Sequence, residues 1–363
     1  MISFEKSKAV TQAQYLTQTV AENMMRSVSR YYDENEGEIP WDYIEFMHGA
    51  LKSMGSASLV PSDEDKKKAK KKDKPRQAYV VMAHQIEMLS WGDAGFYLNT
   101  PRGGLGSAAV EAAGTPEQKV KFLSKLNDEK PILTAMAITE ADAGSDNSAI
   151  RCTAVLDEDT KEWVLNGEKI FITAGNKAMI DTDGFTVVWA SLDLTAGRAG
   201  IRSFVVPAGT PGAKIVKKEE KLGIRSSDTV SMVMEDCRLP YDHILGSPKI
   251  EKSTKGFKGA MQTFNVTRPL VAASGLGVAR AALEEVKSML AEHGVEIRYG
   301  LPRAKMTNTE REIVDMERML RSSWLLTLKA VWMSDNKKPN RLESAMSKLH
   351  AGDVGTRITQ KAI

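Results

Sequence analysis

The apolar positions change their spacing twice along the chain. They recur at helical spacing up to about residue 130, alternate in short runs from Pro131, and return to helical spacing after Gly256. This order predicts an N-terminal all-α domain over 1-130, a β domain over 131-245 and a C-terminal helix bundle over 246-363. We therefore expect a mostly α fold with a small, central, antiparallel β-barrel or sandwich.

The helical segments contain recognisable starts and faces. A second amphipathic helix is predicted from Pro40 to Gly55, and two capping boxes mark later helix starts, at Thr115 with Gln118 and at Thr307 with Glu310. The first helix is predicted from one apolar stripe at roughly helical spacing, which consists of Tyr15, Val20, Met24, Val28 and Tyr31.

The middle segment contains eight short candidate strands, separated by Gly, Asp, Asn and Pro. They are Ile132 to Ile138, Arg151 to Leu156, Trp163 to Leu165, Lys169 to Thr173, Phe185 to Ser191, Ile201 to Pro207, Ala213 to Lys217 and Thr229 to Arg238. Asn166-Gly167 is the strongest hairpin signal among them and predicts a tight turn. The strands stand too close together for intervening helices, which excludes a doubly wound nucleotide fold.

Composition narrows the class of protein. The 363 residues are 42% hydrophobic and 27% charged, which is an ordinary globular composition. A net charge of only +3 gives no overall electrostatic reason to expect binding of nucleic acid. No apolar run approaches the ~20 residues that span a bilayer, and the N-terminus has no signal-peptide pattern. Cys152 and Cys237 are far apart, in no metal or redox spacing. We expect a soluble cytoplasmic protein.

One charged segment stands out from this balance. Residues Asp63 to Arg76 (DEDKKKAKKKDKPR) contain a block of lysines without large apolar residues. Like charges repel and stay hydrated, so we interpret the block as a solvated loop. The alternative is a local anchor for a polyphosphate or an acidic partner protein.

Candidate chemistry is concentrated between Thr134 and Thr173. A short apolar strand leads into a loop of small residues, Thr139 to Asp146, where the backbone can approach a flat ligand closely. Thr139, Ser145 and Thr173 provide hydroxyls, and the loop provides N–H groups, for the carbonyls of a heterocycle or for a pantetheine arm. The alternative is a β-bulge with a tight loop that binds nothing. The five histidines have no metal-ligand spacing, and no nucleophile elbow or Gly-rich dinucleotide motif is present.

The same loop carries a family resemblance. Ala137 to Asp146 (AITEADAGSD) resembles the V-T-E-P-G-A-G-S-D signature of the acyl-CoA dehydrogenase family. The resemblance extends roughly from Tyr15 to Ile363. Supporting segments are Asn166 to Thr173, Lys221 to Thr229, and Gly256-Phe257-Lys258 leading into Arg268-Pro269. It implies FAD between the β domain and the C-terminal bundle, dehydrogenation of an acyl-CoA to the enoyl-CoA, a homo-tetramer or dimer of dimers, and electron-transfer flavoprotein as acceptor.

The resemblance also implies roles for individual positions. The implied cofactor-binding residues are Met136, Ile138, Thr139, Gly144, Ser145, Phe171, Ile172, Thr173 and Arg298. The implied substrate-binding residues are Ser145, Ser191, Asn265 and Arg268. Phe171 stands where the family usually has Trp, and an aromatic residue there can still stack. Arg298 is the first candidate, and Arg303 the second, for the arginine that reaches a neighbour's FAD pyrophosphate.

The general base is missing from this pattern. The family's usual catalytic Glu lies in a later segment, and we expect it beyond Ile363, because the helix that begins near Pro339 has no stop signal there. Some members place the Glu on an earlier helix, where this chain has Thr267, which cannot act as that base. Two hypotheses stay open: an acyl-CoA dehydrogenase, with an oxidase as a variant, or a non-catalytic acyl-CoA/FAD-binding subunit of a hetero-oligomer.

Overall fold

The computed structural model describes residues 5–53, 77–101, 104–250 and 255–363, with side chains from residue 264 in the last range. The lysine block Asp63 to Arg76 and the predicted helix end at Gly55 lie outside the described residues. The chain forms two compact units. The first comprises Met1–Arg30, Lys67–Tyr97 and Phe264–Ile363, and the second comprises Tyr31–Lys66 and Leu98–Thr263. The division into 1-130, 131-245 and 246-363 stays a prediction.

Helices account for most of the described chain. They are α1 Lys8–Val20, α2 Ser27–Glu34, α3 Trp41–Ser53, α4 Ala78–Leu98, α5 Leu105–Ala113, α6 Pro116–Leu123, α7 Lys255–Glu292, α8 Asn308–Asp335 and α9 Arg341–Ala362. Both predicted capping boxes are present, at Thr115 with Gln118 before α6 and at Thr307 with Glu310 before α8. Among the helices of the described ranges, none combines the length and apolarity that crossing a bilayer requires.

The apolar stripe of the N-terminal helices is not their buried face. Tyr15 is 70% exposed and Tyr31 is 50% exposed, whereas Ala21 and Met25 are fully buried. A π-helical segment, residues 21–26, separates α1 from α2 and shifts the phase of the buried face, so a 3.6-residue period does not continue across it. Ala21 packs closely against Gly92, where a Cβ would lie 2.8 Å from the Ala21 Cβ.

The second unit contains one seven-stranded sheet. Its strands are β1 Thr134–Ala137, β2 Thr153–Asp157, β3 Glu162–Thr173, β4 Phe185–Ser191, β5 Ile201–Pro207, β6 Ala213–Lys218 and β7 Thr229–Pro240. Their order is β1-β4-β2-β3-β7-β6, and β5 pairs with β4. The mostly α fold around a central β domain is confirmed. Two pairings differ from the antiparallel prediction, because β4 pairs in parallel with β1 and, at Thr153 and Ser191, with β2. A parallel pair needs a crossover connection, which β2 and β3 provide between β1 and β4.

The tight turn predicted at Asn166-Gly167 is absent, and both residues lie inside β3. They form a bulge against β7, where Asn166 Oδ1 accepts the Asp236 N–H at 2.8 Å. Gly167 has φ 140°, and a Cβ there would lie 2.8 Å from Cys152 Cα. The β2–β3 turn comes earlier, where Asp157 Oδ1 accepts two turn N–H groups at 3.1 and 3.3 Å. The Asn-Gly pair therefore provides a positive φ, which a bulge and a tight turn both require.

Each unit has its own apolar core. The core of the sheet includes Trp163, Phe204 and Met232, and that of the helical unit joins α7, α8 and α9 through residues such as Leu276 and Ile313. The start of α5 packs closely on β1, since a Cβ at Gly104 or Gly106 would lie within 2.5 Å of a β1 carbonyl oxygen.

Candidate functional site

The small-residue loop after β1 is closed on itself and exposed. Glu140 N–H donates to the Ala143 carbonyl at 3.3 Å, and Ala143 N–H donates back at 3.1 Å. Ala143 is buried beneath the loop, while Gly144 and Ser145 are exposed. A Cβ built on Gly144 would meet nothing within 4 Å, so the space in front of the loop is open.

A buried ion pair holds this loop to the sheet. Lys169 of β3 is fully buried, and its Nζ lies 2.6 Å from Glu140 Oε1 and 3.2 Å from the Ile138 carbonyl oxygen. The Glu140 carboxylate also accepts the Arg151 N–H at 2.6 Å and the Cys152 N–H at 3.0 Å. A buried carboxylate with a counter-ion and two N–H donors is satisfied, and it fixes where the loop begins.

The end of β3 forms a second wall beside the loop. Ile170 N–H donates to the Thr139 carbonyl at 2.9 Å, which joins the two segments directly. Phe171 follows in a bulge with a left-handed φ of 57°, and its side chain is 62% exposed. A left-handed aromatic residue is strained, and such strain is often found at functional sites.

A second buried ion pair holds this wall. Asp228, just before β7, pairs through Oδ1 with the buried Lys177 Nζ, and its Oδ2 accepts the Asn176 N–H at 2.8 Å. Its carbonyl accepts the N–H of Ala174, another left-handed residue with φ 59°. Burial lowers the pKa of Lys177 below its ordinary value, although the Asp228 carboxylate opposes this shift. Both walls are therefore held by the carboxylates of Glu140 and Asp228, whose side chains are largely buried.

The exposed surface presents unused hydrogen-bonding groups. The N–H groups of Ala141, Asp142, Gly144 and Ser145 make no hydrogen bond to any residue in the described ranges, nor do the hydroxyls of Thr139, Ser145 and Thr173. Donors and hydroxyls next to an exposed aromatic ring suit a flat heterocycle with carbonyl groups at its edge. These residues therefore fit an isoalloxazine ring.

Six of the predicted site residues lie in the segment after β1 or at the end of β3, and all six are at least partly exposed: Ile138, Thr139, Gly144, Ser145, Phe171 and Thr173. Ile172 is fully buried in the core of the sheet, so it offers the surface only its backbone. Met136 is half-buried and packs against a core cluster under β4 and β5. Ser191 is 3% exposed, and its Oγ is buried without a partner in the part of the chain described.

The other predicted site residues belong to the helical unit. Arg268 Nη1 donates to Asn265 Oδ1 at 3.3 Å, and both side chains are half-buried on α7. Arg298 makes a two-pronged contact with Glu310, with Nε at 2.6 Å from Oε1 and Nη2 at 2.9 Å from Oε2. Arg303 likewise pairs with Asp315 at 2.7 Å. Both arginines are engaged within this chain, and their role towards a pyrophosphate stays a prediction.

Sequence reasoning missed the two pairs of charged residues that hold the walls. Glu140 and Lys169 lie 29 residues apart, and Lys177 and Asp228 lie 51 apart. The available signal was a lysine at a position of β3 where the alternation points into the core, because a buried lysine needs a partner.

Other chemistry finds less support in the structure. Cys152 and Cys237 are buried free thiols, and burial raises the pKa of each to about 11, so neither supplies a thiolate at neutral pH. Across the described residues, no group of three or more His, Cys, Asp or Glu side chains is placed to hold a metal ion.

Comparison with known proteins agrees with the resemblance. Residues 135–237 match the family model "Acyl-CoA dehydrogenase, middle domain", and residues 254–363 match "Acyl-CoA dehydrogenase, C-terminal domain". The short-chain specific acyl-CoA dehydrogenase of Clostridium acetobutylicum is 34% identical over 79% of this chain and 71% of its own length. Butyryl-CoA dehydrogenase from Megasphaera elsdenii has a similar structure, with 27% identity and a TM-score of 0.79 over 99% of this chain and 88% of that one.

The mitochondrial short-chain specific acyl-CoA dehydrogenase of Rattus norvegicus is 39% identical over 69% of this chain. That alignment spans 57% of the rat protein, so the shared region is a little more than half of the relative's length. The surface built by the loop and the end of β3 lies within the middle-domain match.

Proposed function

We propose, because this chain belongs to the acyl-CoA dehydrogenase family, that it binds FAD and oxidises an acyl-CoA thioester to the enoyl-CoA. One observation carries the proposal. Within the middle-domain match, an exposed loop with unused N–H donors lies beside an exposed, left-handed Phe171, and two buried ion pairs hold these walls. A strained backbone conformation beside accessible hydrogen-bond donors is often found where a ligand binds.

The residues of this chain would bind and orient the cofactor. FAD, when bound, would accept the hydride that leaves the β-carbon. The loop N–H groups and the hydroxyls of Thr139, Ser145 and Thr173 would hold the polar edge of the ring, because its carbonyls accept hydrogen bonds. Phe171 would cover one face of the ring and exclude water, because stacking removes apolar surface from water. We assign no general base, since the hydroxyl of Thr267 is too weakly basic for the α-proton of a thioester.

The substrate and partners belong to the same proposal. Asn265 and Arg268 are proposed to contact the acyl-CoA, and their mutual hydrogen bond at 3.3 Å would keep the guanidinium oriented. Electron-transfer flavoprotein as acceptor, a homo-tetramer or dimer of dimers, and a cytoplasmic location are supported by the family resemblance. The buried free thiols agree with a reducing compartment.

The open space in front of Gly144 permits a sharp test. Gly144→Leu should leave folding intact, because a Cβ there meets no protein atom within 4 Å, yet its side chain would occupy the space of the ligand. Gly223→Leu is a matched control, because Gly223 is also exposed, has open space and has no positive φ. We expect wild type and Gly223→Leu to take up one FAD per chain, and Gly144→Leu to bind FAD at least about tenfold more weakly, a loss of about 1.4 kcal/mol.

Turnover is measured separately from FAD uptake. The FAD-loaded chain is mixed anaerobically with butyryl-CoA, and loss of the oxidised flavin absorbance reports dehydrogenation. Flavin reduction supports the enzyme. FAD uptake without reduction by acyl-CoAs of any chain length favours the non-catalytic subunit. Equal FAD affinity in Gly144→Leu and Gly223→Leu would show that this loop is not the cofactor surface.

A further inference from the structure

The helical unit contains a cavity of about 360 Å³ that the proposed reaction does not use. Residues before and within α1 line it, together with side chains from α4, α7 and α8. Its volume lies at the lower end of the range for small-molecule sites, so it suits a small ligand.

The floor of the cavity is polar but has its charges paired. Glu87 of α4 and Arg280 of α7 form an ion pair, with Arg280 Nε 2.5 Å from Glu87 Oε1. Arg280 Nη1 also donates to Glu284 Oε1 at 3.0 Å. Because these charges are satisfied within the protein, the floor does not require a charged ligand.

The walls are mostly apolar and aromatic. Met88 and Leu276 are buried, and the edge of the His84 ring packs against Trp324 with 5.0 Å between the ring centroids. His84 Nδ1 lies 2.8 Å from the Val80 carbonyl oxygen, so this nitrogen carries the proton. Burial lowers the pKa of His84, which keeps the imidazole neutral near neutral pH. The walls therefore favour an apolar body.

The remaining charge at the cavity is positive. Arg321 lines the cavity with its side chain 81% exposed, and it pairs with Glu317 at 3.8 Å. Glu317 is already engaged by Lys287 at 2.7 Å and by the Tyr299 hydroxyl at 2.6 Å. Lys6 also lines the cavity and forms no ion pair within the described residues. Two incompletely compensated cations that line a largely apolar pocket complement one anionic group.

We propose that this cavity binds a small amphipathic monocarboxylate, with its apolar tail against Trp324 and Leu276 and its carboxylate towards Lys6 and Arg321. The cavity shares no lining residue with the proposed FAD surface, and the proposal does not depend on the proposed reaction. All of its lining residues belong to the helical unit.

The probe is sodium octanoate, titrated calorimetrically into the full chain carrying FAD. A saturating non-oxidisable thioether analogue of acyl-CoA is present, so that binding at an acyl-CoA site is blocked. We expect one saturable site per chain, and at least about tenfold weaker binding of 1-octanol and octylammonium, because each lacks the charge-assisted contact. Octanoate that binds only when the analogue is left out, or that binds no better than octanol, would overturn the proposal.

Two variants test whether octanoate binds in this cavity, and each has a control variant in the same helix. Arg321→Glu should weaken octanoate at least about tenfold, whereas Arg318→Glu, which also breaks a surface pair but does not line the cavity, should not. Gln14→Trp should fill the cavity from the half-buried face of α1 and abolish binding, whereas Gln18→Trp, one turn away and exposed, should leave it unchanged. Unaltered octanoate affinity in both Arg321→Glu and Gln14→Trp would exclude this cavity.

Discussion

Breaking the Glu140–Lys169 pair should be costly, because both partners are withdrawn from water. The Lys169 side chain is 0% exposed and that of Glu140 is 10% exposed, with 2.6 Å between Nζ and Oε1. Lys169→Met keeps an unbranched side chain but removes the ammonium, so Glu140 retains only the N–H groups of Arg151 and Cys152. Leaving one charge of a buried pair uncompensated costs about 3–5 kcal/mol. This is a large part of the ~5–15 kcal/mol that stabilises a typical domain.

A second variant separates the effect of charge from that of shape. Adding Glu140→Gln to Lys169→Met removes the buried charge and keeps one acceptor oxygen, so one N–H loses its partner at a cost of about 1–3 kcal/mol. The double variant should therefore be about 2 kcal/mol more stable than Lys169→Met alone. Lys214→Met is the matched control, because Lys214 pairs with Glu235 at 3.1 Å but is 64% exposed, where a pair contributes at most about 1 kcal/mol.

Urea unfolding, monitored by tryptophan fluorescence, gives the free energy of unfolding of all three variants and of the wild type. FAD uptake by the same proteins reports on the loop, which should hold FAD less tightly once its anchor is lost. The reasoning is refuted if Lys169→Met costs no more than the Lys214→Met control, or if the double variant is less stable than the single one.

Three further predictions concern the bulges and the acid limb of stability. Phe171→Gly should raise the free energy of unfolding by up to about 1 kcal/mol, because glycine adopts the φ of 57° without strain, and FAD-dependent turnover should fall. A loss of stability would contradict the strain assigned to Phe171. Gly167→Ala should lower the free energy of unfolding by about 2 kcal/mol or more, because the Ala Cβ would lie 2.8 Å from the backbone of Cys152, beside β2. Gly209→Ala should lower it by only about 1 kcal/mol, because Gly209 also has a positive φ, of 73°, but no atom lies within 4 Å of the added Cβ. The Arg298 guanidinium holds the pKa of Glu310 well below its usual range, so this pair stabilises the fold above pH ~4.3 and loses its effect as the pH falls further. Arg298→Met should flatten that acid limb in thermal melts, and an unchanged limb would show that the pair does not set it.

Features that depend on neighbouring residues were predictable from the sequence. The capping boxes at Thr115 and Thr307 each close within three residues, so tertiary packing does not need to place the partner. Strands β4 and β5 have the predicted bounds, because their apolar runs are bordered by local turn residues. The loop of small residues after β1 was also predictable, since small and polar residues between apolar segments favour loops.

Features that depend on distant partners were not predictable in the same way. Asn166-Gly167 favours a positive φ, but only pairing with β7 makes that conformation a bulge inside β3 rather than a turn. The buried face of α1 runs through Val10 and Thr17 and continues at Ala21, so Tyr15 lies off that face and is exposed; the helices that pack against α1 decide which face is buried.

The sequence by itself determined the order of helical and β segments, the loop of small residues and the hydroxyls of Thr139, Ser145 and Thr173, because period and residue type are local properties. Only the tertiary structure decided what holds that loop in place. Glu140 meets Lys169 across 29 residues, and Asp228 meets Lys177 across 51. Buried charges are stable only beside a partner, and which residues become neighbours is set by the pairing of strands far apart in the chain.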